Sequence, residues 1–275
     1  MDTGMGTLLY VTDLGYRARG RRYCDEDIWL SGRLREEFGL ALCHPLDAAA
    51  LMDRFDAVVV RNSGPVLHYQ EAYDAFRAAA RDKGIRVFNS LSGKGDMAGK
   101  SYLLHLSREG FPVIPTAGRR EEFALLPEAD AYVVKPLLGA DSVGLRFVER
   151  ARLGDVDPAG MLVQPRVPFA YEVSFYFVGR DFQYALYAPD PEARWVLTPY
   201  EPTAADLDFA QRFVDWNALP YGIQRVDACR APDGELLLVE LEDLNPYLSL
   251  DLVGEAEREA FVAAMKRSLR ELLAA

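Results

Sequence analysis

Apolar residues along this chain fall into short runs separated by polar, glycine or proline punctuation, and the spacing within each run names an element. Thr7 to Val11 predicts a strand. Asp25 to Phe38 predicts a helix, with Leu30, Leu34 and Phe38 returning at four-residue intervals. Ala57 to Val60 is apolar throughout and predicts a buried strand leading into Arg61-Asn62-Ser63-Gly64. Gln70 to Lys83 predicts a helix, and Ile85 to Phe88 a strand ending at Asn89-Ser90. This alternation predicts a small α/β domain over residues 1–90. Ligands gather at the ends of parallel strands, so Arg61 and Asn62 are candidates for contact with a second substrate.

From residue 91 onward the rhythm changes. Met97 to Arg108 predicts a helix that Gly110 and Pro112 interrupt before Val113 to Thr116. Strands are expected at Tyr132 to Val134, Met161 to Gln164, Val173 to Val178 and Phe182 to Tyr187, with Gly179 and Asp181 turning the last two into a hairpin. Pro189, Pro191, Pro199 and Pro202 make 189–203 a loop or short edge element. Gln224 to Cys229 and Leu236 to Leu241 predict two strands around Ala231-Pro232-Asp233-Gly234. Glu255 to Leu273 predicts a closing helix with Phe261, Met265, Leu269 and Leu272 on one stripe. Residues 91–275 are therefore expected to form a second, α+β region.

Composition narrows the function. With 275 residues, 50% of them apolar, two cores are affordable. The net charge of -11, from 42 acidic and 31 basic side chains, weighs against nucleic acid or an anionic membrane as partner. No signal segment or membrane span is expected. Cys24, Cys43 and Cys229 give no disulfide framework and fit reduced thiols in a cytoplasmic protein. His44, His68 and His105 lack metal-site spacing.

The candidate chemistry is oxygen-binding. Lys135 ends an apolar strand ahead of Pro136, and the loop Gly139-Ala140-Asp141-Ser142-Val143-Gly144 follows. A lysine beside a glycine loop suits phosphate oxygens, with Gly139 and Gly144 permitting close approach and Ser142 donating its hydroxyl. The spacing is not that of a P-loop or a Rossmann fingerprint. Further on, Glu240 and Glu242 lie two residues apart and share a strand face, Asn245 follows in Asp243-Leu244-Asn245-Pro246, and Asp227 comes from the preceding strand. Hard oxygen ligands of this kind suit Mg2+ against the β and γ phosphates of ATP. Arg225 shares the face of Asp227, where it either pairs with that carboxylate or offers a rigid fork to a transferred phosphoryl group, and Arg194, in the proline-rich segment, is either a second clamp or a surface residue.

Taken in order, Asp96-Met97-Ala98-Gly99-Lys100, Gly110-Phe111-Pro112-Val113-Ile114-Pro115-Thr116, Val133-Val134-Lys135-Pro136, the Gly139–Gly144 loop, Val163-Gln164-Pro165, Arg225-Val226-Asp227 and Val239-Glu240-Leu241-Glu242-Asp243-Leu244-Asn245-Pro246 resemble the ATP-grasp superfamily over about residues 90–250. The preceding segment is similar to the small domain that stands before that fold. The resemblance implies that Lys100 and Lys135 bind nucleotide, that the Gly139–Gly144 loop is a lid, and that Leu162 to Val167, with Gln164 and Val167, forms the hinge against adenine. It implies Glu172 near the ribose, Asp227, Glu240, Glu242 and Asn245 as the metal-binding region, and Arg225, Lys135 and Arg194 near the transferred phosphoryl. Two departures stand out. Glu242 occupies a position usually held by Asn, and Glu172-Val173-Ser174 lacks an arginine found in several amino-acid ligase relatives. The Glu-Leu-Glu form is similar to a bacterial glutathione-synthetase-like branch that includes a cyclising enzyme of cycloserine biosynthesis. The implied activity is ADP-forming ligation of a small-molecule carboxylate and an amine through an acyl phosphate, or the same reaction within one molecule, using ATP and Mg2+. A small-molecule kinase and a non-catalytic nucleotide sensor stay open, and a homodimer is compatible with the family.

Overall fold

The computed structural model of the chain describes residues 6–18, 20–61, 66–138 and 144–275. Its first part runs β1 (Thr7–Val11), a two-residue ribbon β2 (Arg17–Ala18) and β3 (Arg21–Arg22), α1 (Cys24–Leu34), β4 (Gly39–Cys43), α2 (Ala48–Leu51), β5 (Ala57–Val60), α3 (Gln70–Asp82) and β6 (Val87–Phe88). β4, β1, β5 and β6 lie in that order in a parallel sheet. A parallel sheet is covered on both faces, which is why Ala57 to Val60 needs no polar alternation. Leu8 and Tyr10 enter one core with Leu30 and Leu34, whereas Leu9 and Val11 enter another with Tyr73, Phe76 and Ala80.

The second part continues with α4 (Tyr102–Arg108) and a three-stranded antiparallel sheet of β7 (Ala131–Pro136), β8 (Arg146–Glu149) and β9 (Met161–Pro165), in the order β8-β7-β9. It ends with β10 (Tyr171–Val178), β11 (Asp181–Ala188), β12 (Thr198–Pro199), α5 (Ala204–Asn217), β13 (Ile223–Arg230), β14 (Leu236–Glu242) and α6 (Glu255–Ala274). These strands form an antiparallel sheet ordered β12-β11-β10-β13-β14. Alternation along β10 divides its faces. Phe175 and Phe177 pack with Leu103, Leu106 and Phe213 from α4 and α5, while Tyr176 and Val178 pack with Phe261 and Met265 of α6. That second cluster also contains Leu8, Tyr10 and Phe88, so the first sheet and the five-stranded sheet share one core around α6.

Several boundaries differ from the sequence expectation. α1 stops at Leu34, and Phe38 reaches the core from the turn that follows. The helix expected from Met97 is broken: Asp96–Ala98 is a 3-10 turn, Gly99 takes φ +83, and α4 starts at Tyr102. A side chain at Gly99 would sit 2.9 Å from Leu138, so this break is also a close approach to the end of β7. β4, β8 and α5 were not anticipated. The proline-rich segment contains the short turn Pro191–Ala193 and the edge strand β12. No helix among the described residues is long and apolar enough to cross a membrane.

Candidate active site

β13 and β14 pair so that Asp227 lies opposite Glu240 and Arg225 opposite Glu242. The period-2 reading therefore places these four side chains together. Arg225 closes a fork on Asp227, with Nε to Oδ1 and Nη2 to Oδ2 both 2.8 Å, and Nη2 also donates to Glu242 Oε1 at 2.6 Å. Ser174, opposite Asp227 on β10, donates to Asp227 Oδ1 at 2.6 Å. Glu172, one pleat further along β10, accepts from Arg194 Nε at 2.7 Å.

Lys100 approaches from the other side. Its backbone N–H donates to Leu137 O at 2.9 Å, just past the end of β7, and its buried amine pairs with Glu240 Oε1. Lys135 is half-buried on β7, and among the described residues it has no ion pair. Burial pulls its amine down to about 8; Lys100 and Arg194 add to that effect and Glu240 opposes it. Burial pushes Glu242 up to about 8 despite Arg225, with Asp227 and Glu240 adding to the rise. Burial acts the same way on Glu240, but Lys100 and Lys135 outweigh it and leave that carboxyl below its usual range. Burial likewise raises Glu172 against the pull of Arg194.

Three of the site's cations are held on carboxylates, Lys100 on Glu240, Arg225 on Asp227 and Glu242, and Arg194 on Glu172. Among the described residues no three His, Cys, Asp or Glu side chains are arranged as a metal cage. The donor set nonetheless fits magnesium, which is bound through one or two carboxylates while water and substrate phosphates complete its shell. Asp227, Glu240 and Glu242 are the carboxylates available, and Asn245 is half-buried on the loop that leaves β14.

Other expected residues are placed as follows. Residues 166–170 link β9 of the three-stranded sheet to β10 of the five-stranded one, and Val167 is half-buried there. Gln164 is buried, and its side-chain amide donates to Thr116 Oγ1 at 2.8 Å. Gly139 and Ser142 lie outside the described residues. Gly144 takes φ +77, and a side chain there would stand 3.0 Å from Pro136. Asn62 also lies outside the described residues. Arg61 corrects an expectation: its side chain has 0% exposure and is fully engaged with Glu26, Asp27 and Pro246, so it is not a substrate contact.

Sequence reading passed over two residues that build this site. Asp243 is buried, and its carboxylate accepts from Gly95 N–H at 2.8 Å, Met97 N–H at 2.9 Å and Asn217 Nδ2 at 3.0 Å. Asp96 Oδ1 in return accepts the N–H groups of Asp243 and Leu244 at 2.7 and 3.0 Å. The segment bearing Lys100 is thereby bolted to the end of β14. The signal was present in Gly93 and Gly95, since a side chain at Gly95 would meet Leu241 O at 2.6 Å.

No protein-family model matches the sequence, and no curated protein matches it. Solved structures do. A D-cycloserine synthetase, DcsG, superposes with a TM-score of 0.75 at 22% identity, covering 98% of this chain and 100% of its own. The ATP-grasp ligase PsnB, complexed with precursor peptide PsnA2 and AMPPNP, gives 0.61 at 15% identity over 96% of this chain and 99% of its own. D-alanine–D-alanine ligase from Bacillus anthracis, complexed with ATP, gives 0.62 at 14% identity over 98% and 96%. The match runs nearly end to end in each case, and the chain has the ATP-grasp fold.

Proposed function

We propose that this chain is an ADP-forming, ATP-dependent ligase that joins a small-molecule carboxylate to an amine, between two molecules or within one. The observation that carries this reading is the strand pair β13–β14, which sets Arg225, Asp227, Glu240 and Glu242 face to face within reach of Lys100. Such a set binds a polyphosphate and its counter-cation, and contains no separate nucleophile. Cys229 does not serve as one, because burial pushes its thiol up to about 12. The fold shared with two ligases and a synthetase supports the same reading, and the end-to-end likeness to a D-cycloserine synthetase supports a small-molecule substrate.

In the proposed sequence a substrate carboxylate oxygen attacks the γ phosphorus of ATP, the bond to the β–γ bridging oxygen breaks, and ADP leaves. An acyl phosphate results. The amine nitrogen then attacks its carbonyl carbon, the carbon–oxygen bond to phosphate breaks, inorganic phosphate leaves, and the nitrogen loses a proton. Lys100 and Lys135 bind the phosphate oxygens, and Arg225 offsets the charge of the group in transfer. Asp227, Glu240, Glu242 and Asn245 are the proposed magnesium ligands. Magnesium, when bound, neutralises β and γ phosphate charge. As nucleotide enters, Lys100 exchanges its carboxylate partner for phosphate and releases Glu240, while Lys135 takes up phosphate directly. Leu162 to Val167 supply backbone groups to the base, Glu172 the ribose contact, and Arg194 a second clamp.

Hydroxylamine trapping tests this reading. With MgATP and a fractionated pool of small carboxylic acids, an acyl phosphate gives a hydroxamate in step with ADP. A stable phosphorylated product that hydroxylamine does not divert indicates a kinase instead, and nucleotide binding without turnover across the pool indicates a sensor.

A further inference from the structure

We infer that Arg61 and Glu26 are positioning residues that hold the loop after β14 in place for magnesium, so that the first sheet completes the metal side of the site. This rests on the ligase reading above. Arg61 follows β5 inside the protein, and its guanidinium spreads three ways: Nε to Asp27 Oδ1 at 3.0 Å, Nη2 to Glu26 Oε1 at 3.2 Å, and Nη1 to the carbonyl of Pro246 at 2.8 Å. Glu26 then accepts the backbone N–H of Leu248 at 2.9 Å and that of Leu250 at 3.4 Å. Asp27 is fixed by the hydroxyls of Tyr10 at 2.9 Å and Thr12 at 2.6 Å. Arg61, just past β5, and Glu26 of α1 therefore grip the chain on both sides of Tyr247, whose own carbonyl accepts from Arg225 Nη1 at 3.1 Å.

Two features separate this from ordinary packing. Asn245 stands between two anchors, with Asp243 tied to Gly95, Met97 and Asn217 on one side and Pro246 tied to Arg61 on the other. Ser249, between the two amides that Glu26 holds, takes the left-handed backbone at φ 51, which a non-glycine residue keeps only where its surroundings impose it. A buried charge cluster is a weak source of stability, and apolar residues of similar size often serve as well or better. What the cluster supplies is direction. It connects the interior of the first sheet to the backbone beside Asn245.

The full chain with AMPPNP is titrated with Mn2+ and followed by EPR, which reads metal affinity without turnover. Glu26→Gln keeps the shape and an acceptor oxygen, and Arg61→Lys keeps the charge but loses the fork. Both are expected to weaken Mn2+ by about tenfold, the scale of losing one outer contact that orients a metal ligand, with metal-free AMPPNP affinity unchanged. Where Arg61→Lys fails to fold, judged by circular dichroism, Glu26→Gln decides. Unchanged Mn2+ affinity in folded Glu26→Gln, alongside a loss in Asn245→Ala, overturns the positioning role and leaves the metal assignment standing. Absence of Mn2+ binding by the wild-type nucleotide complex removes the metal reading, and this inference with it.

Discussion

Lys135 has a lowered amine, at about 8, because it is buried on β7 and faces Lys100 and Arg194. A bound polyphosphate reverses that balance. Between pH of about 8 and 9, binding of metal-free nucleotide is therefore expected to take up from about half a proton to about one, seen by calorimetry in buffers of different ionisation heat, with affinity flat below pH about 8 and weakening above it. Without nucleotide the linkage has the opposite sign. Between about 8 and the ordinary value of 10.5 the unfolded chain holds the proton that the folded one has lost, so this group adds stability as pH rises through that window. Lys135→Met is expected to lose about 10- to 100-fold in nucleotide affinity, the worth of one charged hydrogen bond, without lowering the melting temperature of the free protein. Unchanged affinity contradicts the role given to Lys135. Glu242 is tested separately. Its replacement by Ala should raise the magnesium concentration for half-maximal turnover by about tenfold, on the same scale of one charged contact, and an unmoved magnesium curve argues against ligation by this residue.

At the scale of elements, the junction between the 93–100 segment and β14 decides whether Lys100 meets Glu240. Gly95→Ala would place a methyl 2.6 Å from Leu241 O. Overpacking of this kind costs about 1–3 kcal/mol, so the variant should melt lower and bind nucleotide more weakly; an unshifted melt means the junction is looser than its distances. Legibility differed between elements for identifiable reasons. Ala57 to Val60 could be read because a doubly covered strand is apolar at every position. β4 was missed because Gly39 and Ala41 carry weak strand preference and only Cys43 of the strand is buried. α5 had readable signals, a capping box from Thr203 to Asp206 and a stripe of Phe209, Ala210, Phe213, Val214 and Asn217, which the prolines just before it obscured.

Across the whole molecule, the change from the parallel sheet to the antiparallel sheets is the basis for proposing a boundary near residue 90, yet the core crosses it. Leu8, Tyr10, Leu30 and Phe88 pack in one cluster with Tyr176, Tyr184, Phe261 and Met265. Scanning calorimetry should therefore show one cooperative transition rather than two, and residues 91–275 alone should lack a sharp melt. Two resolved transitions in the full chain contradict this. The same long-range closure limited how much of the site local reading reveals. The face shared by Glu240 and Glu242 was visible from spacing, and so was that of Arg225 and Asp227. The pairing of Lys100 with Glu240 spans 140 residues and leaves no local trace. Arg61 was misread because a charged residue at a strand end usually faces solvent; here Glu26 and Asp27, in the first turn of α1, turn inward to meet it.

The central claim is carboxylate activation by ATP followed by capture with an amine. Its most direct test is a mass-resolved assay of small metabolites with MgATP. A condensed or cyclised mass, lighter than its substrates by one water and formed one-to-one with ADP and inorganic phosphate, is the expected result. A phosphorylated mass that persists without inorganic phosphate or an amine partner contradicts it.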